Sequence, residues 1–278
     1  MREQVDPDTP QINYLGGKCS IAAAGVCWRM TNFPEALKEW RRTRRFSQLD
    51  LASEANVSSR HIAFLETGRA RPSPDMIGRL GEALQIPLAA RNQMLTLAGF
   101  AARYPGRQWD ATEMAPIRAA LEHTLERHAP YPGIAIDRLW TVVRLNRPAQ
   151  ALFGQLGIFE GGSLLDLMAS EDLPPLIENW PEVAHHAAKR LRTESAAQGG
   201  VSRLERVADK LAAAAGPNQK LTGPVVPTIY RAGSVRLSLF AIIAQFGTPE
   251  DLMLDDLKIE LFFPADPETE QVLRAMQS

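Results

Sequence analysis

The chain has 278 residues, 45% hydrophobic and 23% charged, with a formal net charge of −1, which is enough for at least one buried core and long enough for two modest domains. No run approaches the roughly 20 uninterrupted apolar residues of a membrane-spanning helix, and the alanine-rich piece at 22–26 is too short and lacks a secretory layout, so a soluble cytoplasmic protein is expected. The near-neutral total hides a division: residues 32–80 carry nine Lys/Arg against six Asp/Glu, and residues 116–278 carry sixteen against twenty, which suits a nucleic-acid-facing module joined to one that faces something else.

Residues 1–31 mix Pro7, Pro10, Gly16 and Gly17 with a short alanine run and show no periodicity. They are expected to be a disordered extension. The first convincing pattern begins after Met30, which is therefore an alternative start. Both cysteines, Cys19 and Cys27, fall in this extension; their spacing and surroundings do not suit a metal site, and they are expected to be idle thiols.

Residues 32–99 read as a domain of five short helices. Thr31 or Asn32 can cap the first, with Pro34 tolerated in its opening turn and Phe33, Leu37 and Trp40 at helical spacing. Ser47 caps the second, whose Leu49, Leu51 and Ala52 are expected to face inward. Asn56 supplies a turn residue that tolerates the left-handed conformation, Ser58 caps the third helix with Ile62 and Leu65 buried, and Gly68 ends it. Ser73 opens a fourth helix with Met76, Ile77, Leu80 and Leu84 apolar, and a fifth runs from about 88 to 98.

Residues 100–115 lose the periodicity and read as a linker to a second domain at 116–273. There Ile117, Leu121 and Leu125 form one helical stripe, and 133–146 reads as two short strands around Asp137 and Arg138. Helices are expected over 147–155, 163–169, about 174–195 and 201–215, and strands over 225–231, 234–246 and 257–263. The fold class is α+β, an antiparallel sheet of five strands with helices packed on one face.

The stretch FSQLDLASEANVSSRHIAFLETGRARP (46–72) has the spacing of a helix-turn-helix, in which one helix crosses the phosphates and the N-terminal part of the next reaches base edges. Gln48, after Ser47, can donate to a phosphate, while the exposed N–H groups of that helix add an anion site. Ser58, Ser59 and Arg60 lie at the tip of the recognition helix, with Ala63 and Phe64 one turn on. Arg60 can pair bidentately with guanine O6 and N7, whereas Ser59 bonds to several bases and specifies less. Phe64 suits either a thymine methyl or the core, and His61 either DNA or the domain itself. Thr67, Arg69 and Arg71 are placed for phosphates; Arg41, Arg42, Arg44 and Arg45 either join them or solvate the bundle.

With these residues in view, 33–98 resembles an XRE/Cro–C1-type helix-turn-helix, and SRHIAFLETGRARPSPDMI with ARNQMLTLAGF resembles more narrowly the MmyB-like transcriptional regulators. The resemblance continues over 105–273 through APYPGIAIDRLWTVVRLNRPAQALFG, LIENWPEVAHHAAKRLRTES and FGTPEDLMLDDLKIELFFPAD. It implies a PAS-like ligand-binding domain that senses a small apolar effector, with a fatty-acyl type ligand leading. Trp140, Phe153, Leu176, Ile177, Trp180, Phe240, Ile242, Phe246 and Phe262 supply apolar surface that is either core or pocket wall. Asn179 either caps its helix, staples it to the sheet or presents an amide to a ligand. His185, His186 and Arg190 either neutralise a carboxylate head group or form a solvated face.

No enzyme signature gathers comparable support: there is no HExxH helix, no GxSxG elbow and no glycine-rich phosphate loop after a strand. Asp255 and Asp256 imitate a metal site but read as carboxylates on an exposed turn. No cofactor or metal is implied. The expected protein is a homodimeric regulator on a palindromic operator, since two half-sites about 34 Å apart match two-fold symmetry. The alternative is a non-transcriptional interaction module, antitoxin-like or scaffold, built on the same helix-turn-helix fold.

Overall fold

A computed structural model describes residues 31–216, 225–233, 235–247 and 249–276. Residues 1–30 of the expected extension, with the alternative start at Met30 and with Cys19 and Cys27, lie outside the described residues. The N-terminal domain is α1 (Phe33–Thr43), α2 (Gln48–Glu54), α3 (Ser59–Glu66), α4 (Pro74–Ala83) and α5 (Leu88–Leu97). Each of the first four has a side-chain cap. Asn32 accepts from Glu35 N, Ser47 from Asp50 N, Ser58 from His61 N and Ser73 from Met76 N, satisfying N–H groups that the helix itself leaves orphaned.

The turn between α2 and α3 rests on Asn56 at φ 52°, and Gly68 ends α3 at φ 71°. Phe33, Leu37, Trp40, Leu51, Ile62, Leu65, Ile77 and Leu80 form one buried core. Leu49 departs from expectation: it is 69% exposed. Within α2 it precedes Leu51 by two residues, about 200° around the helix, so both cannot face the same core.

Residues 100–111 contain no regular element, yet they are pinned. Asn92 Oδ1 accepts from Arg103 N and Tyr104 N, its Nδ2 donates to Tyr104 O, and Leu252 N donates to Pro105 O. Arg107 pairs with the buried Asp251 at 2.8 Å.

The second domain begins with α6 (Ala115–Arg127), followed by β1 (Gly133–Ile136), β2 (Val142–Leu145), α7 (Arg147–Phe153), α8 (Leu164–Ala169), α9 (Trp180–Ala197) and α10 (Ser202–Ala215). It closes with β3 (Thr228–Ala232), β4 (Val235–Gln245), the single turn α11 (Leu252–Asp255), β5 (Lys258–Pro264) and α12 (Pro267–Ala275). The five-stranded sheet is antiparallel throughout, in the order β2-β1-β5-β4-β3. Strand alternation decides which wall each residue joins. Ile134, paired with Glu260, and Ile136, paired with Lys258, face α7 to α10. Ala135 and Ile259 face Leu121 and Leu125 of α6.

Helices therefore cover both faces, not one, because α6 is itself amphipathic and has to bury its stripe against the other side of the sheet. Gly133 makes that approach possible: a Cβ there would meet Leu125 Cδ2 at 3.0 Å. Buried Asn146 ties the corner together. Its Nδ2 donates to Leu125 O and Tyr131 O, and its Oδ1 accepts from Gly133 N and Ala149 N, so all four of its hydrogen-bonding positions are used.

Candidate nucleic-acid interface and ligand cavity

At the first site, α2 and α3 form the helix-turn-helix. Ser47, Ser58, Ser59, Arg60, Thr67, Arg69 and Arg71 are exposed, whereas Gln48, His61 and Phe64 are half-buried. Three of the exposed groups are occupied locally. Ser47 and Ser58 cap their helices, and Thr67 Oγ1 donates to Ala63 O at 2.8 Å. Ser59, Arg60, Arg69 and Arg71 have no side-chain hydrogen-bond partner among the described residues, which leaves them available to an external acceptor. The Arg60 guanidinium lies 5.1 Å from the centroid of the Phe64 ring, so Phe64 provides a platform that limits where the guanidinium can go.

Two expected phosphate contacts look different in place. Gln48 Nε2 donates to Glu66 Oε2 at 2.8 Å, and Glu66 takes both Arg41 Nε at 2.5 Å and Nη2 at 2.9 Å. Arg41 also donates to Phe46 O. Glu66, only 3% exposed in its side chain, is thus the node joining α1, α2 and α3. Arg41 serves the core of the domain instead of a phosphate, and Gln48 supports the end of the recognition helix. The anion site expected at the start of α2 is taken: Asp50 closes a capping box, its carboxylate accepting from Ser47 N at 2.9 Å. The Ser47 hydroxyl and N–H hold that carboxylate below its usual range, so a negative charge already sits there. Arg44 has also left the cluster. It donates to Leu84 O, Gln85 O and Ala197 O, while Arg42 and Arg45 remain exposed.

The second site is a cavity of about 270 Å³ between the sheet and α7 to α9. Trp140, Phe153, Ile177, Trp180, His186 and Arg190 line it. Leu176, Asn179, Phe240 and Phe246 do not. Asn179 staples α9 to β3, its Nδ2 donating to Pro227 O and its Oδ1 accepting from Ile229 N. Phe240 pairs with Phe263 on the opposite side of the sheet and stacks on it at 5.8 Å, and Phe246 packs into the α6 core. Alternation in β4 and β5 sends those rings away from the cavity.

Among the residues composition did not point to are Ile134, Leu164, Met168, Tyr230 and Glu260. Glu260 had a detectable signal, a charge on the same register as Phe262 in an otherwise apolar strand. Tyr230 had none before strand pairing was known. Burial, then the Glu260 charge, pushes the Tyr230 phenol far up.

One end of the cavity is an ionic network. Arg190 Nη2 meets Glu260 Oε1 at 2.5 Å and Arg190 Nε meets Glu194 Oε1 at 2.9 Å. Glu194 Oε2 accepts from Lys258 Nζ at 2.5 Å and from Trp140 Nε1 at 2.9 Å. The Arg190 guanidinium lies 4.4 Å from the Trp140 ring centroid. Trp140 itself holds φ 61°, an uncommon conformation for a bulky residue. Asp137 Oδ1 fixes the turn by accepting from Leu139 N and Thr141 N, both at 2.8 Å.

The two sites are physically joined. Helix α9 starts at the cavity with Trp180, passes it at His186 and Arg190, and ends at Ala197, whose carbonyl takes Arg44 Nη2 at 3.0 Å. Asp255 Oδ2 accepts from Leu88 N at 2.9 Å, capping α5, which has no side-chain cap of its own. Asp255 and Asp256 therefore sit half-buried at the seam between domains and not on an exposed turn. Burial pushes the Asp256 carboxyl up to about 7, the neighbouring Asp255 and Asp137 adding to the rise while Arg138 and Lys258 oppose it.

Among the described residues no group of three or more His, Cys, Asp or Glu is placed to hold a metal, and no helix is long and apolar enough to cross a membrane. Residues 117–276 match the family described as MmyB-like transcription regulator ligand binding domain, and residues 37–90 match the helix-turn-helix family. No curated protein matches the chain significantly. A solved structure described as an RNA-binding Light-Oxygen-Voltage receptor aligns at 14% identity over 92% of this chain, which spans 64% of that one, with a TM-score of 0.27.

Proposed function

This chain belongs to the MmyB-like transcription regulators, a DNA-binding helix-turn-helix joined to a ligand-binding domain, and from that premise we propose that it reads a specific operator and responds to a small apolar, fatty-acyl-like effector held between sheet and α9. The observation that carries the reading is the single helix α9, which lines the cavity at one end and at the other bonds Arg44 of the DNA-binding domain. A ligand shifts such a system only if it binds one arrangement of the two domains better than the other. An occupant that moved Arg190 or Trp180 would have a direct route to the Ala197–Arg44 contact.

In this reading Arg60 and Ser59 meet base edges while Arg69, Arg71, Arg42 and Arg45 meet phosphates. The protein works in the cytoplasm as a homodimer on a palindromic site. A second copy is favoured by Ile242 and Ile243, 51% and 45% exposed on the part of β4 beyond its pairing with β3. Catalysis is not part of the reading. Selection of duplexes from a random pool by the full chain tests it: the account expects a two-fold symmetric consensus and salt-dependent binding. Stable co-purification of another protein with no duplex enriched would favour the interaction-module alternative.

A further inference from the structure

We propose that the cavity takes an uncharged molecule, an apolar chain ending in a neutral hydrogen-bonding group such as an alcohol, ester or amide, and that His186 is the side chain that engages that group. This rests on the reading of the cavity as the effector site. It replaces the expectation that His186 and Arg190 would neutralise a carboxylate.

The reason lies in how the charges are already used. Among the described residues the cavity wall holds one cation, Arg190, and one carboxylate, Glu260, with His186 and Tyr230 as its other titratable groups. Arg190 is not free: Glu260 and Glu194 both bond its guanidinium, and Lys258 balances the second carboxylate. Two cations and two carboxylates close the network at zero net charge. The bonds to Arg190 use its Nε and Nη2, so a ligand carboxylate would be left the remaining guanidinium donors and would there lie beside Glu260, whose side chain is 8% exposed. Two carboxylates so close in a buried place repel each other, which is unfavourable for the charged ligand. At the neighbouring wall the Glu260 charge adds to burial in raising the Tyr230 phenol, which keeps that group neutral. The cavity end therefore offers an anion no cation that is not already neutralised.

A neutral polar group has a place to go. His186 lines the cavity, and its Nε2 is buried with no hydrogen-bond partner among the described residues, so a turn of the ring is what brings it to a ligand group. Buried polar atoms in folded proteins are nearly always paired, and an imidazole nitrogen accepts or donates according to its tautomer, so it serves an alcohol, an ester carbonyl or an amide alike. The rest of the wall, with Trp140, Phe153, Leu164, Met168 and Phe262, suits a hydrocarbon body.

The test is a matched pair at pH 7.5: decan-1-ol and decanoate, titrated into the lipid-stripped full chain with displacement of the neutral dye Nile red as readout. Decanol is expected to bind at least tenfold more tightly than decanoate, and decanoate to gain as pH falls and its own carboxyl is neutralised. Glu260→Gln unbalances the network towards positive charge and is expected to raise decanoate affinity at least tenfold. His186→Phe is expected to lower decanol affinity while leaving that of decane unchanged. Decanoate binding the wild type as tightly as decanol would overturn the proposal while leaving the cavity an apolar effector site, and this comparison needs no variant to fold. If Nile red and both ligands failed to bind, the effector-site reading itself would fall, and the proposal with it.

Discussion

The DNA-facing domain keeps its candidate contacts within residues 42–71, whereas the ligand cavity collects its wall from Ile134 to Phe262. In the first case three consecutive short helices and their caps fix the relevant side chains, so local chemistry nearly determines the surface. In the second, a residue reaches the cavity only if the pairing of distant strands turns it that way. Phe240 and Phe262 make the point: both are aromatic and on adjacent strands, yet opposite registers put one behind the sheet and the other in the wall. The two regions also hold charge differently. Arg60, Arg69 and Arg71 are left exposed, while Arg190 is enclosed between two carboxylates.

If the domains are locally autonomous in this sense, damage should stay where it is made. The largest effect is expected from Glu66→Ala, which strands Arg41 and Gln48 at the node of α1, α2 and α3. Removing one partner of a buried pair costs about 3–5 kcal/mol. Urea unfolding should show an early transition reported by Trp40 and an unchanged one for the second domain; a single unshifted transition would show the node to be dispensable.

Arg60→Ala should follow, losing about 1–3 kcal/mol of discrimination at one base position while ligand affinity measured without DNA is unaltered. Unchanged base preference would remove Arg60 from the reading surface. The seam is probed by Asp256→Asn. Asp256 has a folded pKa of about 7 against an ordinary 3.8, so the folded state holds that proton more tightly and stability falls as pH rises between those values. Above pH 7 the substitution should raise Tm by about 2–4 °C, the equivalent of roughly 1 kcal/mol in a domain of this size, and by little at pH 4. A pH-independent difference would contradict the burial of this carboxylate. The smallest effect is expected from Arg69→Ala, weakening all sequences alike and lowering the slope of log K against log salt by about 1.

Much of the fold could be read in advance, for physical reasons that also explain the failures. Ser47, Asn56, Ser58, Gly68 and Ser73 announce helix ends because capping and left-handed turns select those residues, and the five strands stand out as β-branched and aromatic runs. The positions of Arg41, Gln48 and Arg44 were not legible, since a basic or amide side chain on a helix looks identical whether it faces solvent or a buried carboxylate from another helix. Helix α12 was missed because PETEQVLRA is largely polar, with Thr269 and Leu273 as its buried residues. Asn179 illustrates a correct set of options that only the placement of β3 resolves: its amide belongs to Pro227 and Ile229, not to the cavity.

The central claim is that cavity and operator are coupled through α9. The most direct measurement is the affinity of the full chain for its selected duplex with and without a saturating cavity ligand, occupancy being confirmed by native mass spectrometry. The account predicts a change of about 5–150-fold, matched by the same factor in ligand affinity when DNA is bound, as linkage requires. Equal DNA affinity with the cavity demonstrably filled would contradict it.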